Sequence, residues 1–177
     1  MGANDIDHIG VIDRWPTTGG GNNETRDKVP SRIAYQKENQ RHRDFTQNRD
    51  IWGHEVAPGL KSYSWTKLLL DKRAPKSEFD DIFNNNKEAD TRDGVLRLPK
   101  GKDAEEVVAD YLAHLYQHCM SVLEKKLTPA VLSVTPVDFW FTHPAIWSDA
   151  AKNATTNAAK KAGFGTRMKQ DTINLVS

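Results

Sequence analysis

Apolar residues keep a helical rhythm in two stretches of this chain and a strand rhythm in short runs elsewhere. The stronger helical signal is GKDAEEVVADYLAHLYQHCMSVLEKKL, residues 101–127. At about 100° per residue, Val108, Tyr111, Leu112, Leu115, Cys119 and Val122 fall on one face. Asp103 is placed to cap it, and Glu105 and Glu106 favour the positive end of its dipole. The second helix starts at Ser148 or Asp149 and stops at Gly163, the residue type that most readily adopts the left-handed conformation closing a helix. Its stripe of Ala151, Ala154, Ala158 and Ala162 lacks bulk, so the helix backbone can lie close against a sheet.

The strand-like runs are shorter. Ile6–Trp15, rich in β-branched residues, reads as an irregular strand ended by Pro16, and Ser31–Tyr35 as a short one. Ile51–Val56 predicts a strand or turn, and SYSWTKLLLDK, with Trp65, Leu68 and Leu69 at helical spacing, a short helix. AVLSVT and VDFWFTHP are β-rich on either side of Pro136, the second reading as a buried strand, and a further strand starts at Thr172. Residues 17–28, 36–50 and 73–91 are polar, with Gly19–Gly21 in the first and Asn84–Asn86 in the last, and predict exposed, flexible segments. Residues 1–177 together predict one domain.

Composition narrows the classes. With 37% hydrophobic and 28% charged residues and a mean hydropathy of −0.70, the chain suits a polar globular domain. Lys+Arg 25 against Asp+Glu 24 leaves a net charge of +1, so no overall field draws it to nucleic acid or anionic lipid. The single cysteine, Cys119, cannot form an internal disulfide, and the start MGANDIDHIG lacks the regions of a signal peptide, which points to a cytoplasmic location. No apolar run approaches the roughly 20 residues of a membrane helix, and no membrane partner is expected.

Several residue groups suggest chemistry and have plainer explanations. His114 and His118 stand at i and i+4, a spacing able to chelate a metal if a third ligand arrives, but no acid lies between them. They are expected at or beyond the flank of the apolar face, in solvent, and no metal is expected. Gly163-Phe164-Gly165-Thr166 follows a helix rather than opening one, so its amides do not line a phosphate site, and Gly19–Gly21 lack the Lys-Ser/Thr of a phosphate loop. Cys119 on the apolar face is expected to be an inert thiol with a raised pKa. Lys67, by composition alone, is a surface lysine.

The segment from Ala130 to Phe164 resembles the strand-hinge-helix unit of the seventy-kilodalton heat-shock chaperone ATPases of the actin-like superfamily. Its key string is Thr142-His143-Pro144-Ala145-Ile146-Trp147, followed by Ser148-Asp149. The family pattern is Thr-Val-Pro-Ala, an aromatic pair, a polar cap and a helix ending in Ala-Gly; His143 and Ile146 depart from it. Trp147-Ser148-Asp149-Ala150-Ala151-Lys152 is similar to the divergent fungal branch. Upstream, KVPSRIAY resembles the strand after the first hairpin, WGHEV its Gly turn, and WTKLLLD the helix bearing the catalytic lysine.

The resemblance implies that Lys67 takes the catalytic lysine position, Pro144 that of the switch proline, and Lys152 that of an arginine relaying nucleotide state. A lysine there loses bidentate bonding. It implies ATP and Mg as cofactors of the intact family, and unfolded polypeptide or a co-chaperone as partners. It also implies that this chain is a truncated fragment, lacking the first strand with its Asp-x-Gly-Thr-Thr loop, the later Asp-x-Gly-Gly-Gly-Thr loop and the adenosine pocket. Without these phosphate-binding amides the chain is expected to bind no nucleotide and to be inactive alone. The implied fold is an α/β partial actin-like (ribonuclease-H-like) lobe, a mixed sheet with two main helices. The alternative is a non-catalytic interaction module or pseudo-ATPase using exposed strand edges or residues 36–50. A sugar kinase of the same superfamily lacks a sugar-binding signature here.

Overall fold

The computed structural model describes residues 10–17, 25–71, 94–95 and 97–177. The chain is mixed α/β, with four α-helices, two short 3-10 helices and two small sheets among the described residues. In the first sheet, β1 (Arg32–Ala34) lies between β2 (Ile51–Trp52) and β3 (Tyr63–Ser64), antiparallel to both, and β4 (Gly94–Val95) adds parallel to β3. The second sheet pairs β5 (Asp138–Thr142) in parallel with β6 (Thr172–Val176), registering Asp138 with Thr172 and Thr142 with Val176. The connection between them is a helix, as parallel neighbours require.

Helix α2 (Ala104–Leu127) lies between the two sheets. Its start is a capping box: Glu106 N–H donates to Asp103 Oδ1 (2.8 Å), and Asp103 N–H donates to Glu106 Oε2 (2.8 Å). Val107 is buried with Ile33, Tyr35 and Tyr63 of the first sheet. Val108, Ala109 and Leu112 pack instead against α4 (Asp149–Lys161), together with Leu70, Trp147 and Phe164. Helix α4 begins at the Ser148 cap and is closed by Gly163, whose φ of +108° suits glycine, as the sequence predicts. Of its alanine stripe, Ala151 and Ala158 are fully buried and Ala162 nearly so. The stripe's closest work is against α2 rather than against a sheet.

Several expectations are corrected. AVLSVT is not a strand but helix α3 (Pro129–Val134). Pro129 presets the backbone of the first turn, and Ser133 and Thr135 hydroxyls donate back to the carbonyls of Ala130 and Val131 (2.7 Å each), overriding β propensity. Strand β5 is only half covered: Phe139 and Phe141 face the core while Trp140 is 64% exposed. Residues 36–50 are not wholly exposed. They begin with helix α1 (Gln36–Asn39), and Asn39 is buried because its side chain meets the carbonyls of Tyr35 and Lys61 and the amide of Lys61. Phe45 joins Ala34, Ile51, Val56 and Leu60 in a second small core.

The SYSWTKLLLDK segment forms β3 and then a 3-10 helix, Thr66–Leu70, rather than an α-helix. The tighter turn buries Leu70 and leaves Trp65 and Leu68 outside. Residues 10–17 form no strand. Trp15 donates from Nε1 to the Arg26 carbonyl (2.8 Å) and packs edge-on to Trp52. Residues 6–9 of that expected strand, 18–24 of the 17–28 segment and all of 73–91 fall outside the described residues.

The histidines are corrected as well. Val107, Tyr111, His114 and His118 share a second stripe of α2 at spacings of four, three and four. His114 stacks on Trp52 (6.1 Å, 10°), and His118 lies 5.1 Å from the Trp15 ring. Because a carbonyl only accepts, His118 Nε2 donates to Arg14 O (2.9 Å). Burial, aided by the nearby Arg49 charge, holds the His114 pKa below its usual 6.5.

Arg167 closes the second sheet. Its guanidinium grips both oxygens of Asp171, whose side chain is fully buried, and donates to the carbonyls of Leu132 and Thr135. Asp171 Oδ1 also accepts from the Val137 amide (2.9 Å), so the entries to β5 and β6 share one carboxylate. No described helix is long and apolar enough to cross a membrane.

Two outcomes follow from this packing. Ala158→Leu forces three further heavy atoms into the α2–α4 contact and should cost about 1–3 kcal/mol, read as a lower urea midpoint at unchanged slope. Since the folded pKa of His114 is depressed, its contribution is present above pH 6.5 and lost as the pH falls through the folded value. Urea midpoints between about pH 7.5 and 5 should therefore fall more steeply for the native chain than for His114→Phe, which keeps a ring on Trp52; parallel slopes would exclude this histidine as the source.

Candidate functional site

The 3-10 helix Thr66–Leu70 lies beside the segment that leaves β5, and one buried carboxylate holds them together. Asp71, immediately after that helix, accepts from the amide of Ser148 (3.2 Å) and from its hydroxyl (3.1 Å) across 77 residues of sequence. The same hydroxyl oxygen accepts from the Ala151 amide (3.1 Å), capping α4. Asp71, Ser148 and Trp147 are all buried.

This clamp sets Lys67 against the Thr142–Trp147 hinge. Lys67 Nζ donates to the Thr142 carbonyl (2.8 Å) and stands 5.4 Å above the Trp147 ring. Partial burial lowers its pKa from the ordinary lysine value. His143 stacks parallel to Trp147 at 6.5 Å, with its Nδ1 donating to the Pro144 carbonyl (2.9 Å). The Trp147 amide donates to that carbonyl as well (3.1 Å), folding the hinge into a turn in which Pro144 is exposed.

Of the three residues marked by resemblance, Lys67 and the Pro144 segment therefore meet, although 75 residues separate Lys67 from Thr142. Lys152 does not join them; in the first turn of α4 its ammonium pairs with Asp149 (3.2 Å). Sequence reasoning missed Asp71. An acid ending an apolar run gives no sign of a partner 77 positions away.

Beside Lys67 opens an apolar cavity of about 420 Å³ between β5, β1 and α2. Arg32 and Lys67 are the charged side chains among its lining residues, and neither a carboxylate nor a glycine is among them. Two cations suit an anion, but the lining offers no succession of glycine amides for phosphates and no acid for Mg, so these residues do not fit a Mg-nucleotide. Among the described residues, no group of three or more His, Cys, Asp or Glu is placed to hold a metal ion. Cys119 is half-buried and its thiol pKa is raised by burial, as its place on the helix predicts.

Asp71→Ala would leave the Ser148 amide and hydroxyl without their acceptor and is expected to cost about 1–3 kcal/mol in thermal or urea unfolding. Adding Ser148→Ala should cost clearly less than the two single effects summed, because the pair acts as one contact. Comparison with protein-family models, with curated proteins and with solved structures finds no match to this chain.

Proposed function

We propose that the chain is part of the nucleotide-binding domain of a divergent heat-shock-type chaperone ATPase of the cytoplasm, inactive by itself. In the intact family, Mg-ATP binding and hydrolysis drive the binding and release of unfolded polypeptide with co-chaperones. The observation that carries the reading is the Lys67–Thr142 hydrogen bond. Resemblance picks out a lysine and a hinge proline from two distant strings, and those strings meet within hydrogen-bonding distance.

Two further features support it. β5, α4 and β6 form a parallel strand-helix-strand unit with Pro144 at the exit of the first strand, the order the resemblance implies. The edge of β5 away from β6 opens on a cavity, as in a sheet that lacks a strand. In this reading Lys67, held by the hinge carbonyl and partly desolvated, is the group that would stabilise developing negative charge. Pro144 and Lys152 would carry the switch, with Lys152 weakened as a relay because it cannot bond bidentately. The lining beside Lys67 offers no glycine amides to cradle phosphate, so no catalytic step is assigned to the chain alone.

Thermal unfolding tests both halves of the proposal. A ligand at 100 times its Kd adds about 2.7 kcal/mol, a rise on the order of 5–10 °C at this size. The chain alone should show no rise with Mg-ATP. A folded chimera that restores the family's first strand and its second glycine loop should show one, and Lys67→Ala should remove its ATP hydrolysis. A chimera that folds yet ignores ATP would sink the family assignment; a rise in the bare chain, abolished by Lys67→Ala, would sink the inactivity.

A further inference from the structure

Among the described residues, strand pairing engages the backbone of β5 on one side only. Thr172 N–H donates to Val137 O (3.1 Å) and His143 N–H donates to Val176 O (2.9 Å), so the odd-numbered residues from 137 to 143 point their peptide groups toward β6. Successive residues of a strand point these groups to opposite edges. The N–H and C=O groups of Asp138, Trp140 and Thr142 therefore face the other way. Lys67 accords with this, because the carbonyl it caps is that of Thr142, on the far edge.

That edge meets the 420 Å³ cavity. Phe139, Trp140, Phe141 and Thr142 all line it, although their side chains alternate between the two faces of the sheet. A cavity touching four consecutive strand residues runs along the strand's edge, not over one face. Its far wall includes Ile33 of β1 and Leu112 of α2. The space thus combines a row of backbone donors and acceptors, apolar walls on both sides, and the two cations Arg32 and Lys67.

We propose that this groove binds an extended peptide segment of a partner protein, added as a strand along the open edge of β5, apolar at alternate positions and carrying a carboxylate that Arg32 and Lys67 attract. Backbone pairing with Trp140 and Thr142 supplies affinity, and the walls select alternate side chains. The edge itself favours a peptide over another apolar ligand, since only an extended backbone offers donors and acceptors at the spacing of a strand. Charge favours a carboxylate, because both ionic side chains in the lining are cations. The proposal goes beyond the ATPase reading and involves no nucleotide, so either can fail without the other.

The test uses the whole chain, without nucleotide, against an array of short synthetic peptides with alternating apolar residues, each made with a free carboxylate and as its amide. Free-carboxylate members should bind at least tenfold more tightly than their amides, and Lys67→Gln should reduce that preference. Hydrogen exchange in the complex should newly protect the amides of Trp140 and Thr142, while those of Phe139 and Phe141, already turned to β6, change little. Trp140→Pro removes one donor from the open edge and none from the β6 ladder, a position where proline is tolerated. It should weaken binding at least tenfold with thermal unfolding still cooperative; if this variant fails to fold, the exchange pattern decides alone. The proposal is overturned if no peptide binds, if protection falls elsewhere, if a folded Trp140→Pro binds as before, or if decanoate binds where every peptide fails, which would make the groove a site for small apolar acids.

Discussion

The architecture depends on one helix burying two faces. Val107 of α2 completes the core of the first sheet, and its neighbours Val108, Ala109 and Leu112 complete the core shared with α4. Neither sheet could hide its apolar side alone: one is built from strands of two or three residues, and the other has two strands. Both borrow α2. Polar anchors fix the helix on the first sheet, with Tyr35 Oη donating to Asp110 (2.7 Å) and Lys102 bonding the same carboxylate while resting over the Tyr35 ring. Burial drives the contact, and these directed bonds select one rotation of the helix about its axis.

This doubled role explains what the sequence made legible. A dominant helical period with an acidic start is readable because capping and dipole are local, and so are α4, Gly163, β1 and β6. The expectation for His114 and His118 failed because a wheel weighted toward one apolar face assigns everything else to solvent. The second stripe, Val107, Tyr111, His114 and His118, is half polar by composition and is covered only because Trp15 and Trp52 lie across it. α3 failed for the opposite reason, since hydroxyl back-bonding and an N-terminal proline outweigh a β-branched composition. Asn39 and Phe45, single residues in a polar run, leave no period at all.

The candidate site was legible in its parts and not in its assembly. Resemblance marked Lys67 and the Pro144 hinge, but the bonds that join them run through Asp71, the Ser148 cap and a carbonyl, none of which has a sequence signature. Similar long-range polar clamps recur at Asn39 and at Arg167–Asp171. In each, a buried side chain meets backbone groups that secondary structure leaves over, and this pairs the leftover donors and acceptors of short, irregular elements. The chain relies on such clamps where a larger protein would use longer strands.

The parallel pairing of β5 with β6 also has a consequence in time. Asp138 and its partner Thr172 are 34 residues apart in the chain. At a synthesis rate of about 5–20 residues per second, each residue of β6 leaves the ribosome about 2–7 s after its partner in β5. For that interval Phe139, Trp140 and Phe141 are outside the ribosome without their partner strand, and Asp171, the carboxylate that will fix the start of β5, has yet to emerge. The nascent chain is therefore open to capture, by a chaperone or by another copy of itself, at an aromatic segment whose fold must wait for its neighbour.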